Sequence, residues 1–369
     1  MSTEKISVLI CDDSALMRNV ISRIIEADED LEIAGKAMNG LFALRKLKLL
    51  QPDVIILDLE MPEMNGIDFL KERQRLNLDI PIVILSSHAQ KGAKITMDAL
   101  SLGASDFIMK PASSGEYDLG EMGKQLIQTI KAYGRQFKRS KGKAFKPAVF
   151  HEELKETVSF PPAPPAPPVS RKVSPRGNAD IVALGISTGG PNALRIVFPR
   201  LRPDFPVPVV VVQHMPPGFT REFARSLDRV CSLEVKEAEN GDLLKAGRIL
   251  IAPGDRHLLV EEKRLARVVA LSDSPAVNGH RPSVGVLFNS VASVYGANTL
   301  AVIMTGMGKD GAREIGAVYE KGGMTLGQDE ESSIVYGMPK VAWEYGYLHQ
   351  VVSLEKMADT LNALAGKPF

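Results

Sequence analysis

Five polar residues, each placed where a short apolar run stops, carry the chemistry of the first third of the chain. Ile6-Ser7-Val8-Leu9-Ile10-Cys11 ends in Asp12-Asp13, and Val54-Ile55-Ile56-Leu57 ends in Asp58. Ile82-Val83-Ile84-Leu85 is followed by Ser86, and Asp106-Phe107-Ile108-Met109 by Lys110-Pro111. A hard divalent cation such as Mg²⁺ prefers carboxylate and carbonyl oxygens and usually keeps waters and a phosphate around it. Asp12, Asp13 and Asp58 suit such an ion. Crowded carboxylates repel one another, and a bound cation or the Lys110 ammonium relieves that cost. A site of this kind can take a phosphoryl group onto an aspartate. Helix capping explains any one of these acids, but it does not explain the ordered set of Asp-Asp, Asp, Ser and Lys-Pro.

The second half presents a different chemistry. Gly185-Ile186-Ser187-Thr188-Gly189-Gly190-Pro191 follows a strand-like run and leads into an amphipathic stretch. The spacing satisfies the nucleophile-elbow pattern, whose glycines permit a sharp turn and expose the serine hydroxyl. A plain structural turn, or a phosphate cradle at a helix start, fits the same glycines. The hydroxyl needs a base, and His214, His257, His280 and His349 follow the linker. His214 comes after Val209-Val210-Val211-Val212-Gln213 and before Met215-Pro216-Pro217-Gly218, which puts it at a strand end on the edge of Ser187. His257 and His280 fall in loops, where they could position substrate, and His349 near the chain end reads as structural. Asp310, in Thr305-Gly306-Met307-Gly308-Lys309-Asp310-Gly311, closes another strand and could fix a histidine tautomer, while the glycines leave backbone N–H groups open to an oxyanion. Asp310 with His349, in the chain order of α/β-hydrolases, is the competing assignment. A metal site of His214, His257 and His280 is a weaker rival, because no short-range ligand spacing supports it.

These residues need rigid strands behind them, and the chain supplies two sets. Short apolar runs alternate with amphipathic stretches such as Leu41-Phe42-Ala43-Leu44-Arg45-Lys46-Leu47, the pattern of parallel strands with crossover helices. Strand ends of such sheets meet on one edge, where ligands bind. The alternation resumes after the linker, with strands over 181–184, 209–212, 249–252 and 301–304 and helices over 220–230 and 284–295. In between, apolar periodicity fails and a proline-rich run, Phe160-Pro161-Pro162-Ala163-Pro164-Pro165-Ala166-Pro167-Pro168, implies an extended, semi-rigid tether. The basic tract 135–146 has six lysines or arginines and no acid. It reads as a solvated linker face, with an anionic partner as the alternative. The expected division is therefore 1–128, a linker over 129–177, and 178–369.

The 369 residues carry a formal net charge of +1, so no overall field favours nucleic acid. No helix-turn-helix pattern or basic recognition helix stands out in the C-terminal half. Cys11 and Cys231 sit in or beside apolar segments and read as reduced thiols. The N-terminus lacks the order of a signal peptide, and no apolar stretch approaches the roughly 20 residues that span a bilayer. A cytoplasmic protein without membrane insertion is expected.

Over about residues 4–128 the sequence resembles the response-regulator receiver family, and Met61-Pro62-Glu63-Met64-Asn65-Gly66 after Asp58 is typical of it. The resemblance implies that Asp58 is the phosphoacceptor and a histidine kinase the phosphodonor. It further implies Mg²⁺ on Asp13, Asp58 and the Glu60 carbonyl, with Asp12 assisting through water and Ser86 and Lys110 reading the phosphoryl oxygens. The second half resembles the chemotaxis-type protein-glutamate methylesterase family (CheB), in the segments 185–190, 213–220, 252–255, 280–284, 305–311 and 336–339. It implies Ser187 as nucleophile, His214 as general base and Asp310 as orienting acid, with Thr188 beside the nucleophile and the Met307 N–H as oxyanion donor. The implied fold is two doubly wound parallel α/β sheets, a flavodoxin-like receiver and a Rossmann-like methylesterase domain. The implied activity is phosphorylation-gated hydrolysis of glutamate methyl esters, with deamidation of glutamines, on methyl-accepting chemotaxis receptors, and no cofactor for the esterase step. Lys309 and Gly285 replace an asparagine and an aspartate of some family members, and the Gly285 change bears on substrate preference. The rival reading is a response regulator whose second domain binds a partner without catalysis, or acts on another ester.

Overall fold

The computed structural model describes residues 4–86, 90–111, 116–142 and 173–369. The first sheet and its helices run β1 (Ile6–Cys11), α1 (Ala15–Glu26), β2 (Leu31–Ala37), α2 (Gly40–Leu50), β3 (Val54–Asp58), α3 (Gly66–Arg75), β4 (Ile82–Ser86), α4 (Gln90–Ser101), β5 (Asp106–Met109) and α5 (Glu116–Gly142). Strand order is β2-β1-β3-β4-β5 and all neighbours are parallel, which is the flavodoxin-like arrangement. β3 and β4 are buried at every position, as continuous apolar runs covered on both faces should be, whereas edge strand β2 exposes Glu32 and Lys36. The side chains of Ser14, Asn39 and Asn65 cap α1, α2 and α3 by accepting from Met17, Phe42 and Asp68 N–H groups. Capping is thus done by neighbours, which leaves Asp13 and Asp58 facing the sheet edge.

The expected boundary at residue 128 falls inside α5. Leu126, Ile130 and Tyr133 lie buried against the receiver core, and Phe137 packs beside it. The apolar face therefore continues at helical spacing under a surface dominated by basic residues, which masked its period. Two members of the basic tract tie this helix down: Arg135 pairs with Asp30 at 3.2 Å, and Lys138 with Glu4 at 3.4 Å and Asp53 at 3.5 Å. The proline-rich residues 160–168, expected to form the tether, lie outside the described residues.

The second body comprises β6 (Ile181–Ile186), α6 (Gly190–Val197), β7 (Val209–Gln213), α7 (Phe219–Asp228), β8 (Glu234–Glu237), β9 (Arg248–Ile251), β10 (His257–Lys263), β11 (Ala266–Ser272), α8 (Val284–Tyr295), β12 (Thr299–Ile303), α9 (Ile315–Glu320), β13 (Met324–Gln328), α10 (Met338–Glu344), β14 (Gln350–Val352) and α11 (Leu354–Leu364). Seven strands form a parallel sheet in the order β14-β13-β12-β6-β7-β9-β8. The chain moves from β6 to β7 on one side and later returns to β12 on the other. The switch point of this doubly wound sheet therefore lies at β6. α7 shows how sequence builds the layers: Phe219, Phe223 and Leu227, at i, i+4 and i+8, are all buried. Burying each phenylalanine contributes roughly 1.5–3 kcal/mol. The antiparallel hairpin β10–β11, which the expected strands do not include, packs on α8 and stands outside the parallel sheet.

The two bodies meet along one seam. α4 packs on α7, and Phe107 of β5 stacks on Phe219 with centroids 5.1 Å apart and planes at 7°. Asn192 Nδ2 donates to the carbonyls of Ala104 and Ser105 at 3.1 and 2.8 Å. Gly189 N–H donates to Asp106 Oδ2 at 2.9 Å.

Candidate active site

Ser187 emerges from β6 onto a turn fixed from several directions. Its N–H donates to the Thr305 carbonyl at 3.0 Å, and its carbonyl accepts from Gly190 N–H at 2.7 Å. Thr305 Oγ1 donates to the Thr188 carbonyl at 3.0 Å, so Thr188 joins the turn to the loop after β12. Gly189 has φ +79°, a conformation that favours glycine. A Cβ at Gly306 would come within 2.8 Å of the Ser187 Cβ. Only glycine lets the loop that carries Met307 run this close to the nucleophile.

His214, at the end of β7, bridges the two other residues. Its Nδ1 lies 3.1 Å from Ser187 Oγ and its Nε2 lies 2.9 Å from Asp310 Oδ2. A carboxylate only accepts, so the ring proton sits on Nε2 and Nδ1 is left to accept from the serine hydroxyl. The edge of the ring facing serine is thus the reverse of the chymotrypsin arrangement, in which Nε2 faces serine. Asp310 also accepts from Ser283 Oγ at 2.7 Å, Val284 N–H at 2.7 Å and Asn278 Nδ2 at 3.1 Å. Burial works against its charge, but the hydrogen bonds from His214, Ser283 and Asn278 prevail and pull its carboxyl down to about 2.

The other histidines separate cleanly. His280 stacks on His214 with centroids 3.8 Å apart and planes at 7°. Burial, reinforced by His214, pushes its pKa down to about 4, so it stays neutral beside the base. His257 is buried at the start of β10 rather than free in a loop; Nδ1 accepts from Ser283 N–H at 3.2 Å and Nε2 donates to the Pro275 carbonyl at 3.1 Å. With both nitrogens engaged it supports the loop, and the three-histidine metal site is not formed. His349 lies across the sheet, where Nε2 meets the Val173 carbonyl at 2.8 Å and Nδ1 the Thr325 hydroxyl at 2.7 Å. It pins the incoming chain, and the Asp310–His349 pairing does not occur. Ser283 and Asn278 were not singled out as Asp310 partners; Ser283 was legible as a cap, since a serine before the apolar run of α8 accepts from Val286 N–H.

At the receiver edge, Asp12, Asp13 and Asp58 bring ligand oxygens within 4.8 Å of one another. Lys110 Nζ sits 3.0 Å from Asp12 and 2.8 Å from Asp58. Burial raises the Asp58 carboxyl above its ordinary range, against the pull of Lys110. Lys110, though burial disfavours its charge, is held above its usual range by Asp58 and Asp12. Asp13, Asp58, Glu60, Ser86 and Lys110 line a cavity of about 430 Å³. Carboxylates converging on a cavity form a donor set that fits a hard divalent cation. Ser86 Oγ lies 2.6 Å from Thr96 Oγ1, in the second turn of α4.

A receiver-type sheet with a carboxylate cluster, joined to a second sheet with a Ser-His-Asp chain at its switch point, defines a response regulator with a serine-hydrolase-like output domain. Comparison with known proteins narrows the class. A response regulator receiver domain matches residues 8–118 and the CheB methylesterase family matches residues 182–361. A Treponema denticola protein named protein-glutamate methylesterase/protein-glutamine glutaminase is 55% identical, over 99% of this chain and 100% of its own. A Treponema pallidum protein of the same name is 49% identical, over 100% and 99%. The solved Thermotoga maritima CheB methylesterase catalytic domain shares 42% identity at a TM-score of 0.50, covering 51% of this chain and 100% of that domain. The chain belongs to the CheB methylesterase family.

Proposed function

We propose that this protein hydrolyses γ-methyl esters of protein glutamates, and deamidates glutamines, through Ser187, His214 and Asp310. The observation that carries the reading is the continuous hydrogen-bonded chain from Ser187 Oγ through His214 to Asp310. Ser187 Oγ attacks the ester carbonyl carbon while His214 Nδ1 takes its proton, and Asp310 stabilises the imidazolium so formed. The C–O bond to methanol then breaks as His214 returns the proton to the leaving oxygen. Water, deprotonated by His214, adds to the acyl-serine; the Ser187 ester bond breaks, leaving free glutamate and the serine hydroxyl. The Met307 N–H is the proposed oxyanion donor, because Gly306 brings its loop against Ser187. The relatives' names give protein glutamates and glutamines as the targets; methyl-accepting chemotaxis receptors, in the cytoplasm, are the substrates this reading assigns.

The receiver regulates this site. A phosphorylated histidine kinase passes its phosphoryl group to Asp58, the donor N–P bond breaking as the O–P bond forms; Asp13, Asp58 and the Glu60 carbonyl would hold Mg²⁺, and Asp12 would assist through water. When bound, the ion neutralises phosphoryl charge. Ser86 and Lys110 read the phosphoryl oxygens. In the resting state the receiver lies beside the nucleophile turn and keeps a large protein substrate away; the contacts of Asp106 with Gly189 and of Phe107 with Phe219 support this. β5 links the two events, since Lys110 follows directly on the strand that carries Asp106 and Phe107.

The test is methanol release from methylated receptor membranes by the full chain, with and without a small phosphodonor and Mg²⁺, and by Ser187→Ala. Release that rises with phosphodonor and disappears in the variant is expected. Release that persists in Ser187→Ala would refute the assigned nucleophile.

A further inference from the structure

The geometry points to Gln213 as a positioning residue that sets the reach between the nucleophile and its base. This rests on the Ser187–His214 reading above. Gln213 is the last residue of β7, pairs in register with Ile186, and is 2% exposed. Its Nε2 donates to two carbonyls, Ser187 O and His214 O, each at 3.1 Å. These belong to the two residues whose side chains must meet at 3.1 Å. Backbone pairing already ties the strands one step earlier, through His214 N–H to the Ile186 carbonyl at 3.2 Å. Beyond that step both chains have left the sheet. The Gln213 amide is the clamp there, with one NH₂ group holding the residue after β6 and the residue after β7 at fixed distances.

The other end of the amide argues against a packing role. Gln213 Oε1 is buried and makes no hydrogen bond among the described residues. Reversing the amide would aim that oxygen at two carbonyl oxygens, so the donors' partners decide the orientation. A core chosen for stability alone would place methionine here, with similar volume and no orphaned oxygen. The neighbouring sequence also accommodates the amide: a Cβ on Gly190 would stand 2.0 Å from Oε1, so the first residue of α6 must be glycine for Gln213 to fit.

The experiment compares the phosphodonor-activated full chain with Gln213→Met and Gln213→Glu on methylated receptor membranes, with Ser187→Ala as control. Melting temperature and the rate of Ser187 labelling by a fluorophosphonate are measured alongside. Gln213→Met should lower kcat about 10- to 100-fold with KM changed little, because misplacement of reacting groups by about 1 Å costs on that order. Labelling should slow in parallel. Gln213→Glu adds a readout that a packing role would not move. Protonated, its carboxyl donates to one carbonyl and restores part of kcat; ionised, it faces two carbonyl oxygens. The kcat ratio of Gln213→Glu to Gln213→Met should therefore fall as pH rises, because groups common to the two variants cancel from the ratio. A flat ratio, an unchanged kcat in Gln213→Met, or a Gln213→Met chain that loses its fold in place of its kcat would each overturn the assignment. A wild-type chain without Ser187-dependent release would instead overturn the esterase reading itself.

Discussion

Asp58, the last residue of β3, and Asp310, in the loop that follows β12, each stand on the edge where their sheet binds its ligand, and each is buried. Their carboxyls move in opposite directions. Asp58 is raised by burial, with Asp12 adding to the rise and Lys110 opposing it. Asp310, also penalised by burial, is drawn down to about 2 because His214, Ser283 and Asn278 donate to it. The difference lies in the second partner. Asp58 shares one ammonium with a competing carboxylate, a frustrated arrangement that an incoming cation or phosphoryl group can resolve. Asp310 has its own donors and nothing to share them with, so it remains a fixed charge. One edge is built to be changed by its ligand and the other to hold still during chemistry.

Breaking the still edge should have the largest effect. Asp310→Ala leaves His214 without its orienting charge and should lower phosphodonor-stimulated turnover about 10⁴-fold, as the loss of a triad acid does elsewhere. Steady-state methanol release checks this, and a variant within tenfold of wild type would show that Asp310 is not the orienting acid. Because Asp310 stays ionised down to about pH 2, it should contribute nothing to the acid limb of the wild-type pH–rate profile above that pH. Its held-down carboxyl also stabilises the fold above pH 3.8, an effect lost as pH falls through 2.

Breaking the changeable edge should leave chemistry intact and remove control. Asp58→Ala should abolish labelling by phosphodonor and any stimulation, while unstimulated release stays near the wild-type level. A chain beginning at Ser170, which retains Val173 on His349, should release methanol without phosphodonor at least about tenfold faster than the unstimulated full chain, the order of a typical coupling free energy. Equal rates would show that the receiver does not restrain the site.

The two edges were legible in the sequence to different depths. Strand ends and their polar residues were readable because buried parallel strands are unbroken apolar runs, and the residue that ends each run is at the ligand edge by topology. His214 could be preferred over three other histidines for the same reason. What the sequence did not carry was contact between residues far apart in the chain: Ser283 and Asn278 on Asp310, His280 stacked on His214, and Gln213 reaching across to Ser187. Helix α5 runs past the expected end of the first body because Arg135 and Lys138 pair with Asp30, Glu4 and Asp53 on distant loops, and so appear as a solvated basic tract until those acids are placed beside them.

The smallest effect concerns the seam between the two edges. Asp106 Oδ2 accepts from Gly189 N–H at 2.9 Å and Tyr133 OH at 3.3 Å, and Oδ1 accepts from Phe107 N–H at 2.9 Å. Burial nevertheless lifts its carboxyl from 3.8 to about 6. Tyr133 itself is held neutral, its phenol pushed up by burial and by Asp106. Opening the seam returns water to this carboxyl and lets it fall toward its ordinary value. The closed state therefore binds the proton more tightly, and closure gains as pH drops through 6 toward 3.8. The ratio of unstimulated release by the Ser170 chain to that by the full chain should rise about tenfold between pH 7 and pH 5, since the catalytic groups common to both cancel from it. Asp106→Ala should flatten this dependence and raise unstimulated release several-fold, because Gly189 N–H loses its acceptor in the closed state alone. A ratio that is independent of pH in the wild-type protein would mean that Asp106 keeps the same environment in the open and closed states, and that the seam is held by Phe107 and Asn192 without it.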